Sequence, residues 1–137
     1  MSDTFLLEIV TPYALILSEE VEYVTAPGVE GEFGVLKGHT PFMTALKPGE
    51  VVCSKGNFNA ALAVSWGYAE VTHEKVIVLV ETAEKAEEID IERAKTSLTK
   101  AEERLRRLNK EDKEYLEAAA SLEKAVIRVQ VAGRLSR

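Results

Sequence analysis

The hydrophobic period of this chain changes once, near residue 83, and that change restricts the fold more than any other feature. Before it, apolar residues come in short alternating or continuous runs split by Gly and Pro. After it, they recur every three or four residues. Alternation buries one face of a strand, whereas three-four spacing draws one stripe along a helix. The expected fold class is therefore β + α: an N-terminal β-sandwich over residues 1–84, then an antiparallel two-helix hairpin over residues 85–137.

In the first part, Phe5, Leu7 and Ile9 alternate with Leu6, Glu8 and Val10. Further strands are expected at Tyr13–Leu17, Val21–Ala26, Pro41–Leu46, Val51–Ser54, Ala60–Val64, Tyr68–Thr72 and Val76–Val80, with Pro27-Gly28 as a terminator. Short strands with regular punctuation argue for a sandwich or barrel. Val76–Val80 is apolar on both faces and predicts an internal strand. The segment Gly31–Pro41 reads as a constrained loop. Its three glycines permit positive φ and close backbone approach, and it carries Glu32, Phe33, Leu36 and His39.

In the second part, Ile91, Ala94, Leu98, Ala101, Leu105 and Leu108 form one stripe, and Asp90 precedes it as an N-cap candidate. Asn109-Lys110-Glu111-Asp112 interrupts the period, and either Asn109 or Asp112 can cap a second helix. Tyr115, Ala118/Ala119, Leu122, Ala125/Val126, Val129 and Ala132 form the second stripe, with Gly133 expected as the C′ residue. Two helices joined by so short a loop pack antiparallel. At ~25 cal/mol per Å² of apolar surface, an alanine-rich seam is weak, which makes the hairpin a candidate for an element that opens, with an ordinary stable hairpin docked on the sandwich as the alternative.

Charge divides along the same line. The net charge is −6, yet residues 1–87 hold 5 basic and 13 acidic residues, against 12 and 10 in residues 88–137. Lys124–Arg137 contains four basic residues and no acidic one. An acidic partner surface accounts for that tail, and so does a solvated helix C-terminus, which favours cations in any case. The overall acidity argues against nucleic-acid binding. The single cysteine, Cys53, excludes an internal disulfide and is expected as a buried thiol. The start Met1-Ser2-Asp3-Thr4 lacks the features of a signal peptide. Val76–Val80 is far shorter than the ~20 residues of a membrane helix.

Catalytic chemistry is missing. No CxxC, HExxH, GxSxG or phosphate-loop motif occurs. His73 lies in an expected exposed turn, and no metal-ligand cluster is suggested by spacing. The residues point to a partner-binding protein, with an adaptor using the hairpin as a coiled-coil tether as the alternative.

Gly31-Glu32-Phe33-Gly34-Val35-Leu36-Lys37-Gly38-His39-Thr40-Pro41 resembles the signature loop of the epsilon subunits of bacterial F-type ATP synthases. Ser65-Trp66-Gly67-Tyr68-Ala69-Glu70-Val71 and Glu87-Glu88-Ile89-Asp90-Ile91-Glu92-Arg93-Ala94 agree with that family, and the likeness spans nearly the whole chain. Lys37 departs from it, standing where the family usually has proline. The resemblance implies a non-catalytic rotor subunit of the central stalk, peripheral at the cytoplasmic face of the bacterial membrane, in a proton-translocating ATP synthase. It implies that the sandwich docks on the gamma subunit and the c-ring, with Glu32, Phe33, Lys37 and His39 at that interface. It implies that the hairpin can extend into the alpha/beta catalytic head and inhibit ATP hydrolysis through a basic face of Arg104, Arg106, Arg107, Lys113 and Arg134. It requires no cofactor, and it implies ATP as a regulatory ligand, because Ile89–Ala94 matches the family's I/L-D-x-x-R-A motif. The implied ATP set is Glu84, Ile89, Asp90, Arg93, Ala94, Lys100, Lys124 and Arg128. Lysine at 100 and 124, where some members have arginine, loses bidentate geometry and implies weaker binding.

Overall fold

The computed structural model describes residues 3–134. Met1-Ser2, the start of the chain, and Arg137, the last basic residue of the tail, lie outside the described residues. The chain divides into two compact units, Met1–Lys85 and Ala86–Arg137.

The first unit is a ten-stranded sheet folded over one core, a β-sandwich. Its strands are β1 (Phe5–Val10), β2 (Leu15–Val21), β3 (Tyr23–Gly28), β4 (Gly31–Leu36), β5 (Phe42–Leu46), β6 (Gly49–Lys55), β7 (Phe58–Val64), β8 (Gly67–Val71), β9 (Lys75–Val80) and β10 (Ala83–Lys85). They follow the order β10-β7-β6-β3-β5-β8-β9-β1-β2, with β4 paired to β3. The β1–β9 pair is parallel. As its apolarity predicts, β9 is internal, between β8 and β1. Leu7, Ile9, Leu46, Leu62 and valines from β2, β3, β4, β6, β8 and β9 fill the core.

Three expectations are corrected. The first half of the Gly31–Pro41 loop is strand β4, which pairs with β3 along its whole length. Phe33 and Val35 alternate inward there, a pattern hidden by the glycines on either side. Pro27-Gly28 continues β3 instead of ending it, since the Pro27 carbonyl still accepts from the Lys47 amide at 3.0 Å. The second strand starts at Leu15 and not at Tyr13, because Thr11 Oγ1 accepts from the amides of Tyr13 (3.3 Å) and Ala14 (3.2 Å) and holds a turn.

The second unit opens with a 3-10 turn, Ala86–Glu88, followed by α1 (Ile91–Arg107) and α2 (Lys113–Gly133). Asp90 caps α1, its Oδ1 accepting from the Arg93 amide at 3.1 Å. Buried alanines recur every seven residues on each helix, at Ala94 and Ala101 on α1 and at Ala118, Ala125 and Ala132 on α2. Seven-residue spacing is the signature of a narrow interhelical seam. Val126 stands off that seam and is exposed, whereas Val131, outside the expected stripe, is fully buried. Gly133 is not a left-handed C′ residue but the last helical position. The helix closes at Arg134, in right-handed geometry, with its amide turned back onto the Ala132 and Val131 carbonyls.

Candidate functional site

The residues expected at a partner interface are spread along β4, with Glu32 and Phe33 beside the β3–β4 turn, and into the loop after it, with Lys37 and His39. Gly31 (φ +136°) and Gly38 (φ +81°) hold backbone conformations that side chains resist, and they bracket β4. Phe33 packs edge-on against Phe42 with ring centroids 5.2 Å apart, and the His39 ring lies 5.3 Å from the same phenylalanine. His39 Nδ1 is 2.8 Å from the Thr40 carbonyl. The geometry thus joins Phe33 and His39 through Phe42, while Glu32 and Lys37 stay exposed.

A larger surface was not singled out by the sequence. Directly opposed residues on neighbouring strands share a face. The pairs Ala45–Tyr68, Tyr68–Leu79, Leu79–Val10 and Val10–Leu15 link into one row across five strands. Tyr68 is 58% exposed, Leu79 50% and Leu15 56%, all on the outer face. Trp66, Pro12 and Val29 extend the row into an apolar groove of about 710 Å³, with Glu81 on its margin. The next row runs Met43, Glu70, Ile77, Glu8. An apolar stripe therefore runs beside carboxylates, of which Glu8 is paired with Lys75 at 2.6 Å. Gly67 makes the row possible: a Cβ there would collide with the Leu79 carbonyl oxygen. The available sequence signal was an aromatic at the outward position of an alternating strand, Tyr68-Ala69-Glu70-Val71.

The residues implied for ATP are spread more widely. Asp90 and Arg93 share the first turn of α1, with the Asp90 carboxylate already occupied as a cap. Ile89 and Ala94 are buried. Lys100 is exposed on α1, while Lys124 and Arg128 stand one turn apart on α2. Glu84 belongs to the other unit, in β10, opposite Ala63.

Of the residues implied for an inhibitory face, Arg104, Arg106 and Arg107 crowd the last turn of α1, where the helix dipole favours cations. Arg104 approaches Glu117 of α2 at 3.9 Å. Lys113 begins α2, and Arg134 ends it.

Cys53 is fully buried, and desolvation, reinforced by the charge of Glu19, pushes its thiol up to about 11. A protonated, enclosed thiol is a poor nucleophile. Among the described residues no group of three or more His, Cys, Asp or Glu could hold a metal ion, and no helix is long and apolar enough to cross a membrane.

Comparison with known proteins agrees with this architecture. Residues 4–86 match the family model of the ATP synthase delta/epsilon chain beta-sandwich domain, and residues 87–133 match that of its long alpha-helix domain. The ATP synthase epsilon chain of Geotalea daltonii is 56% identical over 100% of this chain and 99% of its own length. That of Geobacter sulfurreducens is 53% identical with the same coverage. Among solved structures, a chain of the Euglena gracilis mitochondrial ATP synthase OSCP/F1/c-ring assembly superposes with a TM-score of 0.81 at 26% identity, covering 96% of this chain and 82% of that one. A chain of the Tetrahymena thermophila mitochondrial central stalk/c-ring shares the fold, with a TM-score of 0.55 at 13% identity, covering 97% of this chain and 96% of that one. The chain belongs to the ATP synthase delta/epsilon family, and its full-length relatives are epsilon chains.

Proposed function

We propose that this chain is a non-catalytic rotor subunit that joins gamma to the c-ring at the cytoplasmic face of the membrane, in a proton-translocating ATP synthase. The observation that carries this reading is the apolar row Ala45–Tyr68–Leu79–Val10–Leu15, bordered by Glu8, Glu70 and Glu81. Exposed aromatic and aliphatic side chains in one contiguous stripe suit a protein partner. The bordering carboxylates suit basic flanks on that partner. The test is co-purification from cells carrying Tyr68→Glu together with Leu79→Glu. Both side chains are outward-facing, so the sandwich should fold while gamma is lost; gamma retained at the wild-type level would overturn the reading.

In the same reading the hairpin extends into the alpha/beta head and restrains ATP hydrolysis, with ATP favouring the folded-back form. The narrow alanine seam supports this, because little apolar area is lost on opening. Deleting residues 88–137 should raise hydrolysis by the complex and spare its assembly; unchanged hydrolysis would remove the inhibitory role. Titration of the full chain with ATP should show binding that Arg93→Ala weakens, and equal affinities would remove the proposed ATP site.

A further inference from the structure

Asp112 stands immediately before α2, where a carboxylate ordinarily accepts from amides two or three residues on. Here its side chain makes no such cap. It reaches backwards instead, and Oδ2 accepts the Asn109 amide at 2.8 Å. The Asp112 amide in turn donates to the Asn109 carbonyl at 2.9 Å. These two reciprocal bonds close a four-residue turn, Asn109–Asp112. The backbone is extended on both sides of that turn, with ψ 145° at Leu108 and 142° at Asp112.

An amide held by a carboxylate makes a shorter and stronger bond than one held by a neutral acceptor. Behind the turn, the two helices face each other through alanine stripes, with Arg104 and Glu117 reaching across. Alanine contacts are not directional, and a pair at 3.9 Å between exposed side chains contributes little. The closed end adds what the seam lacks, directional bonds that set where the chain reverses.

We propose that Asp112 is the clasp of the helical hairpin: its carboxylate takes the Asn109 amide in preference to capping α2, and so fixes the reversal of the chain. The clasp is a property of the chain itself. Only its effect on hydrolysis rests on the regulatory reading above.

The experiment uses the full chain with spin labels on cysteines placed at exposed Lys95 and Gln130, near the open end of the hairpin. Cys53 stays unlabelled, being buried with its thiol pushed up. Asp112→Ala should raise the open-to-closed ratio in the measured distances by about tenfold or more, the size expected for one lost charge-assisted bond. Asp112→Asn keeps an oxygen acceptor and should restore most of the closed population, whereas Glu111→Ala should leave it unchanged. Wild-type distances in Asp112→Ala, or an equal shift in Glu111→Ala, would overturn the clasp. Hydrolysis by complexes carrying the same variants is read separately. A shift in distance without a change in hydrolysis keeps the clasp and removes the regulatory reading; a change in hydrolysis without a shift in distance removes the clasp.

Discussion

The two units of this chain bury different kinds of side chain. The sandwich encloses Leu7, Ile9, Leu46, Leu62 and many valines. Among the described residues of the hairpin unit, those buried are alanines, apart from Ile89 and Val131. Each large aliphatic side chain removed from water contributes ~1.5–3 kcal/mol, and an alanine methyl contributes a fraction of that. The difference teaches where rigidity is built in. The outward row of side chains sits on a densely filled core, whereas the two helices share a thin seam of small side chains.

The contrast can be broken most directly in the core. Leu7 has no exposed surface, so Leu7→Ala should destabilise the sandwich by about 3 kcal/mol, read from its denaturant midpoint. A loss below about 1 kcal/mol would mean the core is no firmer than the seam. Next in size is overfilling the seam. Ala118 is likewise fully buried, and Ala118→Leu should cost the hairpin roughly 2 kcal/mol by overpacking. Hydrogen-exchange protection should fall in α1 and α2 and persist in the strands; loss of protection everywhere would show that the two units do not open separately.

A smaller effect is expected at the cap of α1. Asp90→Ala removes the bond to the Arg93 amide and should weaken the first turn by about 1 kcal/mol, while Asp90→Asn, an equally good cap, should not. ATP titration of the same two variants sharpens the result. If Asp90→Asn keeps the helix but loses nucleotide binding, the carboxylate serves a ligand as well as the helix; if it keeps both, capping explains the residue. The smallest effect belongs to Arg104→Ala. Its ion pair is long and solvent-exposed, so thermal unfolding of the hairpin should change by no more than about 0.5 kcal/mol. A larger change would mean that charge, rather than the seam, holds the helices together.

Much of this was legible in local patterns. The switch of period near residue 83 separates strands from helices, Asp90 announces its helix, and the continuous run Val76–Val80 marks an internal strand. Each of these follows from periodicity or from one side chain meeting a nearby amide. Strand β4 was hidden because glycine carries no hydrophobic signal, so the alternation of Phe33 and Val35 was too sparse to register. The choice between Asn109 and Asp112 as a cap was also closed to sequence, because the Asp112 carboxylate has competing amide partners within reach and only the closed turn selects one.

The residues of this chain alone determine a β-rich unit, two amphipathic helices and an alanine-rich seam between them, because those properties depend on spacing and side-chain size within short segments. The exposed row from Ala45 to Leu15 was decided only by the tertiary structure. Its members come from five strands in three separate stretches of the chain, and they become neighbours through register: β9 sets Leu79 opposite Tyr68 on one side and Val10 on the other. A shift of one residue in any of those pairings would turn the row inward.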